Sequence, residues 1–193
     1  MPAHTEQEIL DLLRETGAVL NGHFILSSGK HAARYIQCAK LLQHPDIAER
    51  VCRTLAKRVK GLKPIDVVVG PALGGIIIAY ELAEQLGVRG LFTERWEGKT
   101  ALRRGFEIAS HERVLIAEDV VTTGRSTLEV VDVVKESGGE VIGISCIVDR
   151  RPAGIELPYP IISAVKLEVA AYDPTDCPLC QTGIPAVKPG SRT

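Results

Sequence analysis

Two adjacent carboxylates follow an apolar run near the middle of this 193-residue chain. Val114 to Ala117 lead into Glu118 and Asp119, and a short turn of two threonines and a glycine occupies 122–124. In open α/β sheets, ligands bind where the parallel strands end. A helix N-terminus after such a turn favours phosphate, while carboxylates suit sugar hydroxyls or a hydrated metal ion. The segment therefore predicts a site for a ligand that carries a ribose and a phosphate close together.

Residues 114–127 as a whole resemble the signature of the type I phosphoribosyltransferases, which bind 5-phosphoribosyl 1-diphosphate (PRPP). The resemblance implies that Glu118 and Asp119 hold the ribose hydroxyls, with Asp119 among the catalytic residues. It implies that the turn holds the 5′-phosphate through hydroxyls and backbone N–H groups. The residues concerned are Val120, Val121, Thr122, Thr123, Gly124, Arg125 and Ser126.

Three further elements are similar to those of the orotate phosphoribosyltransferases, in the same order and spacing. They are the Phe-x-Leu-x-Ser-Gly element at 24–30, the glycine-rich loop at 70–75 and the Asp-Arg element at 147–150. The family resemblance covers almost the whole chain. It implies a single domain over 1–193, with a core at about 62–150 and a hood formed by about 1–60 and the C-terminal segment.

The predicted base site is centred on Arg150. Orotate carries a carboxylate, which an arginine can bind through two parallel hydrogen bonds. The resemblance adds Thr122 as a second orotate contact and places Ser28 and Lys30 beside the base. An ion pair of Arg150 with a neighbouring acid, at 149 or 156, is the alternative interpretation.

The segment 94–105 carries four basic and two acidic side chains and has little periodicity. We expect a mobile loop that closes over a diphosphate leaving group and excludes water. The resemblance implies that this loop reaches into the other subunit of a homodimer, with Arg95 and Lys99 in the catalytic and PRPP-binding roles. A flexible exposed loop without a role is the alternative.

Four positions depart from the pattern of many relatives. Trp96 and Ala101 replace a lysine and a histidine in the basic segment, where Arg103 or Arg104 is expected to compensate. Ser27 and Gly74 replace lysines that some orotate enzymes use near the base and on the PRPP side, respectively.

In the remaining chain, β-branched runs alternate with predicted helices of 10–14 residues. This alternation indicates an α/β fold with a mostly parallel, five-stranded sheet flanked by helices. Helices are predicted at about 6–16, 46–59, 75–86 and 125–136. The predicted strands lie at 24–26, 35–36, 65–69, 91–92, 114–117 and 141–148. The Pro- and Gly-rich tail from about 172 is expected on the surface.

The composition excludes several classes of protein. The net charge of −1 argues against a protein built mainly to bind nucleic acid. No apolar run approaches the ~18 residues that a membrane helix needs. The N-terminal residues lack the pattern of a signal peptide, and the five cysteines are expected as reduced thiols in the cytoplasm.

Cys177 and Cys180 have the spacing of metal ligands, yet no second pair of ligands stands near them in sequence. A zinc half-site completed by another chain is one interpretation. His23 and His31 flank the turn at 27–30, and His31 is expected either at the base or diphosphate or simply on the surface.

Together, the resemblance implies that the chain joins orotate to PRPP, with release of diphosphate, in the de novo synthesis of UMP. Mg²⁺ is the expected cofactor, held mainly by PRPP rather than by protein ligands. A purine phosphoribosyltransferase and a non-catalytic, PRPP-sensing regulator of transcription are the two alternatives.

Overall fold

The computed structural model describes residues 3–26 and 28–189. The strands of this part of the chain are β1 (Val19–Ile25), β2 (His31–Ile36), β3 (Val67–Pro71), β4 (Arg89–Trp96), β5 (Lys99–Leu102), β6 (Arg113–Val121), β7 (Glu140–Asp149), β8 (Ile161–Lys166) and β9 (Ala171–Tyr172). The α-helices are α1 (Glu6–Glu15), α2 (Ala39–Leu42), α3 (Pro45–Arg58), α4 (Gly74–Leu86), α5 (Arg125–Glu136) and α6 (Pro178–Gln181).

The large sheet has the order β5-β4-β3-β6-β7-β8. Strands β4, β3, β6, β7 and β8 pair in parallel, and β5 adds an antiparallel edge to β4. The predicted α/β fold with a mostly parallel sheet is thus confirmed, with six strands in place of the expected five. Two of the six strands were not located from the sequence: β5 lies in the basic segment that we expected to be a loop, and β8 lies beyond the predicted core at 62–150.

Both faces of the large sheet are covered, which explains why its strands are continuous apolar runs. Successive residues of β3 alternate between two cores, since side chains along a strand point to opposite faces. Val68 packs with α1, α3 and α4, whereas Val67 and Val69 pack on the side of α5.

Local sequence signals begin and end the helices as expected. The Thr5 hydroxyl accepts a hydrogen bond from the Glu8 N–H at 3.2 Å, and the Glu8 carboxylate accepts one from the Thr5 N–H at 2.7 Å. This capping box starts α1. Helix α4 ends at Gly87, whose φ of 70° is the left-handed conformation that glycine tolerates best.

A second, three-stranded sheet has the order β1-β2-β9. Strands β1 and β2 form an antiparallel pair in which Ile25 lies opposite His31, and β9 brings the chain after β8 alongside β2. Val187 then exchanges two backbone hydrogen bonds of 2.8 Å with residues 23 and 25 of β1. The tail is therefore fastened to this small sheet rather than only lying on the surface, and Cys177 within it is buried.

Among the described residues, no helix has the length and apolar character needed to cross a membrane.

Candidate active site

The acidic pair lies at the carboxyl end of the central strand β6. Glu118 is buried, and its carboxylate accepts a hydrogen bond of 2.8 Å from the Ser126 hydroxyl at the start of α5. The Asp119 carboxylate accepts a 2.8 Å bond from the N–H of Val120. Strand β6 and helix α5 thus fix both carboxylates around one short turn.

Burial raises the pKa of Glu118, and the neighbouring charge of Asp119 raises it further. Burial also raises the pKa of Asp119. Within residues 3–26 and 28–189, neither carboxylate forms an ion pair with a lysine or arginine. A buried pair of acids without a counter-charge is costly, so this site favours a ligand that brings hydroxyl donors or a cation.

The turn at 122–124 forms the wall of a cavity of about 950 Å³. Its lining comes from the turn, the first residues of α5, the basic hairpin and one residue between β1 and β2: Ser28, Arg95, Gly98, Val121, Thr122, Thr123, Gly124, Arg125, Ser126, Thr127 and Glu129. The first backbone N–H groups of α5 have no partner within the helix, and they carry the positive end of its dipole. The cavity therefore offers a phosphate site beside the acidic pair.

Gly124 is required at this turn for two structural reasons. Its φ of 76° is unfavourable for other residues. A Cβ at this position would also lie 2.7 Å from the Leu157 side chain, which packs over the turn.

The glycine-rich loop at 70–75 brings backbone against the acidic pair. A Cβ on Gly70 would lie 2.2 Å from the carbonyl oxygen of Gly75, so these two segments touch directly. A Cβ on Gly74 would lie 2.8 Å from the carboxylate atoms of Asp119. The space near Gly74, where some relatives have a lysine, is therefore occupied by the Asp119 carboxylate. The Ser27 departure lies outside the described residues.

The basic segment is a β-hairpin, and the expectation of an irregular loop is wrong. Strands β4 and β5 pair with Trp96 opposite Lys99. Glu97 and Gly98 form the connection, with φ values of 49° and 79°. Two positive φ angles in a two-residue connection match the twist of a hairpin, which explains the ordered turn.

The two expected catalytic cations lie on different faces of this hairpin. Arg95 pairs with Glu129 of α5 and donates a 3.0 Å bond to the carbonyl oxygen of Gly98, on the side of the cavity. Lys99 is cross-strand to Trp96, and side chains of neighbouring positions alternate between faces. Lys99 is therefore exposed on the face away from the cavity of its own chain.

Arg103 and Arg104, which follow β5, do not line the cavity. The Arg103 guanidinium stacks 3.6 Å from the centre of the Trp96 ring, and Arg104 pairs with Glu94 at 3.1 Å. The contact of Arg103 with Trp96 is a cation–π interaction within the hairpin.

Arg150 and Arg151 have different environments at the end of β7. Arg151 binds the buried Asp149 carboxylate in a bidentate manner, at 3.0 and 2.9 Å. Arg150 is half-buried and, in the described part of the chain, has no ion-pair partner, so the alternative of an ion pair with Asp149 or Glu156 is wrong. Burial lowers the pKa of Arg150 from its very high ordinary value, and it remains a cation.

Tyr35 of β2 lies close enough to both Arg150 and the acidic pair to interact with their charges. Burial and the charge of Asp119 raise the pKa of Tyr35, while the charge of Arg150 lowers it. The two sites are therefore neighbours, with the phenol within electrostatic reach of both. Of the two hood residues predicted at the base, Ser28 lines the cavity, and Lys30 is an exposed residue 3.7 Å from Asp173.

Sequence reasoning missed Glu129 and Tyr35. Glu129 accepts hydrogen bonds from Arg95 and from the Thr100 hydroxyl, and it lies 3.5 Å from Arg125. Its position four residues after Arg125 on a helix is a usable signal. Nothing in the local sequence marks Tyr35, since its neighbours come from β6 and β7.

The comparisons with known proteins agree with this site. The family model described as the phosphoribosyl transferase domain matches residues 37–171. The chain is 51% identical over 183 residues to the orotate phosphoribosyltransferase of Caldicellulosiruptor bescii, which covers 95% of this chain and 96% of that protein. It is 52% identical over 187 residues to the protein of the same name from Caldanaerobacter subterraneus subsp. tengcongensis, covering 97% and 98%.

Among solved structures, the orotate phosphoribosyltransferase from Aeropyrum pernix matches with a TM-score of 0.68 and 27% identity. The match covers 82% of this chain and 93% of that one. Fold and site thus define a phosphoribosyltransferase domain. The chain belongs to the phosphoribosyltransferase family and, within it, to the orotate phosphoribosyltransferases.

Proposed function

We propose that this chain transfers the 5-phosphoribosyl group of PRPP to orotate, giving orotidine 5′-monophosphate and diphosphate, as one step of UMP synthesis. The supporting observation is that two charged sites, at the ends of the adjacent strands β6 and β7, both lack a partner of opposite charge among the described residues. Glu118 and Asp119 at the end of β6 have no cationic partner among the described residues, and Arg150 at the end of β7 has no anionic one there. A sugar with hydroxyl donors and a base with a carboxylate satisfy both.

The reaction breaks the bond between ribose C1 and a diphosphate oxygen, which leaves with the electron pair. A ring nitrogen of orotate, whose proton is released to solvent, forms the new bond to C1 through a transition state with oxocarbenium character. This chain needs no covalent intermediate for that step. Its contribution is to place the two reactants and to stabilise charge where it develops.

The assigned roles follow the geometry of the cavity. The turn at 122–124 and the start of α5 hold the 5′-phosphate, which anchors the ribose beside the acidic pair. Asp119 and Glu118 accept hydrogen bonds from the ribose hydroxyls. Arg150 and Thr122 orient orotate, and Ser28 and Lys30 lie at its other side, from the loop between β1 and β2.

Mg²⁺ fits this site, since the carboxylates at 118 and 119 lack a counter-cation within the described residues and oxygen ligands suit this ion. In our proposal PRPP holds most of the ion, with the acidic pair nearby. When bound, Mg²⁺ neutralises charge on the diphosphate leaving group. Arg95, on the cavity side of the hairpin, adds a positive charge from the protein itself.

The position of Lys99 supports a homodimer in which the hairpin of one chain contributes Lys99 to the active site of the other. It faces away from its own cavity, so as a catalytic residue it would serve the site of a second chain. A second feature favours such a partner, namely an apolar groove of about 340 Å³ on α4 and β4. The groove is lined by Ile76, Ile77, Tyr80, Gly90, Leu91, Phe92 and Phe106. Tyr80 is 68% exposed in the single chain, and a second copy would cover it.

We place the protein in the cytoplasm. None of the five cysteines forms a disulfide, and four of them are buried. This use of cysteine fits a reducing compartment.

The test is turnover by the purified chain with PRPP and Mg²⁺. Orotate loss is followed by absorbance, and diphosphate release is followed in parallel with adenine, hypoxanthine, xanthine and uracil. We expect that orotate is the only one of these five bases to be turned over. Turnover of a purine would refute the assignment of Arg150 while keeping the PRPP site. PRPP binding without any turnover would refute the proposed reaction and favour a PRPP-sensing role.

A further inference from the structure

Four side chains with metal-ligating atoms meet between the small sheet and the C-terminal segment. His23 comes from β1 and His31 from β2, while Cys177 and Cys180 come from the chain around α6. Their ligand atoms all lie within 4.8 Å of one another. None of the four lines the cavity at the acidic pair. The interpretation of His31 as a surface residue is therefore wrong, since both histidines are buried beside these thiols.

The sulfur–nitrogen distances are close to those of a tetrahedral site. The sulfur atom of Cys177 lies 3.7 Å from Nε2 of His23, and that of Cys180 lies 3.8 Å from the same nitrogen and 3.3 Å from Nδ1 of His31. Around a tetrahedral zinc ion, with Zn–S of about 2.3 Å and Zn–N of about 2.05 Å, the sulfur–nitrogen distance is about 3.6 Å. The two ring nitrogens are 2.8 Å apart, the distance of a shared proton, which a metal ion would replace.

The surroundings of His23 select the tautomer that a metal needs. Its Nδ1 lies 2.7 Å from the carbonyl oxygen of Ile184. A carbonyl oxygen only accepts hydrogen bonds, so Nδ1 must carry the proton. Nε2 is then left with a lone pair directed at the cluster. A backbone carbonyl that orients a histidine in this way is typical of metal sites in proteins.

We propose that His23, His31, Cys177 and Cys180 bind one structural Zn²⁺ ion within a single chain. Two thiolates and two imidazoles form a donor set that zinc prefers, and the four protein ligands leave no open position for a substrate. Binding releases the protons of the two thiols to solvent. The second half of the site, which the sequence did not reveal, comes from the same chain and not from a partner.

The ion would fasten the C-terminal segment to the small sheet. The hydrogen bonds that hold residues 171–189 to β1 and β2 come from the two-residue strand β9, from Val187 and from the carbonyl oxygen of Ile184. Four metal–ligand bonds join these same elements. This inference goes beyond the proposed transferase function and does not depend on it.

The test is the metal content of the full chain, purified under reducing conditions without chelator and measured by mass spectrometry of the elements. We expect about one zinc ion per chain, as for a closed four-ligand site. Cys180→Ser and the double variant with Cys177→Ser should lose the ion, while Cys52→Ala, a buried thiol of α3 away from the cluster, should retain it. Circular dichroism checks that each variant is folded.

A second measurement does not depend on any variant. Cobalt added to the metal-free wild-type chain should produce the visible bands of tetrahedral Co²⁺ and thiolate charge transfer in the near ultraviolet. Removal of zinc should make the chain after residue 170 more sensitive to proteases. The proposal is overturned if the reduced wild-type chain binds neither zinc nor cobalt, or if the double variant keeps its zinc. It is also overturned if Cys177 and Cys180, once reduced, form a disulfide again although zinc is present.

Discussion

Arg150→Gln removes a half-buried guanidinium that has no carboxylate partner in the described part of the chain. If Arg150 binds the orotate carboxylate, the change leaves that carboxylate unpaired in the bound state. Removing one partner of a buried charge pair costs roughly 3–5 kcal/mol, and partial exposure of Arg150 places the loss at the lower end. A loss of about 3 kcal/mol corresponds to a decrease of roughly 150-fold in kcat/KM for orotate.

The matched control is Arg151→Gln, one residue along the chain. Arg151 is the partner of the buried Asp149, so this change should destabilise folding, by about 3 kcal/mol on the same physical argument. Its effect on the KM for orotate should be small. Arg150→Gln should show the opposite pattern, with a large rise in KM and little change in unfolding free energy.

Steady-state kinetics with orotate as the varied substrate, PRPP binding by calorimetry and urea unfolding together resolve the two patterns. PRPP affinity should be unchanged in both variants, since neither arginine lines the phosphate cavity. The reasoning is refuted if Arg150→Gln changes the KM for orotate by less than about twofold, or if it destabilises the fold as much as Arg151→Gln.

Three further predictions concern the cavity and the hairpin. Lys99→Ala should lower kcat by about 100-fold, the size of one lost electrostatic contact in the transition state, with much less effect on orotate binding; an unchanged kcat would contradict the assigned role. Gly124→Ala should destabilise the chain by at least about 1 kcal/mol in urea unfolding, because the left-handed φ and the Leu157 side chain both oppose a Cβ, and a neutral result would contradict this. Since the folded-state pKa of Glu118 is raised, the ligand-free protein should lose stability as pH rises above the ordinary carboxyl range, and Glu118→Gln should flatten this dependence; an identical pH slope in both proteins would count against a buried acid.

The helices could be predicted well because their signals are local. The capping box at Thr5, the four-residue spacing of apolar side chains in α3 and the terminal Gly87 each act within a turn of their own helix. Predicted and observed boundaries of the four longer helices agree to within one residue at either end.

The hairpin at 94–105 shows where such local reasoning fails. Its second strand, β5, is the edge of the sheet, so it pairs only with β4 and needs no apolar face of its own. The contacts that hold it are a salt bridge from Arg95 to α5 and the stacking of Arg103 on Trp96. These involve charged side chains, which in sequence are typical of an exposed loop.

By itself, the sequence determined the acidic pair, the turn and the class of ligand. Those residues are consecutive, and a strand that runs into a helix places them together whatever the rest of the chain does. The tertiary structure decided between the two interpretations of Arg150, a cation without an acidic partner or one in an ion pair with Asp149 or Glu156. Neighbouring strands and Asp149, which direct Arg150 and Arg151 to different surroundings, make that choice.

The same holds for the cluster of His23, His31, Cys177 and Cys180. His23 and Cys177 are 154 positions apart, and they meet only because β9 and Val187 return the chain to the small sheet. Spacing along the sequence reports ligands that share one turn or one helix, such as the two cysteines. Ligands from opposite ends of the chain are brought together by sheet pairing, and no local pattern records that pairing.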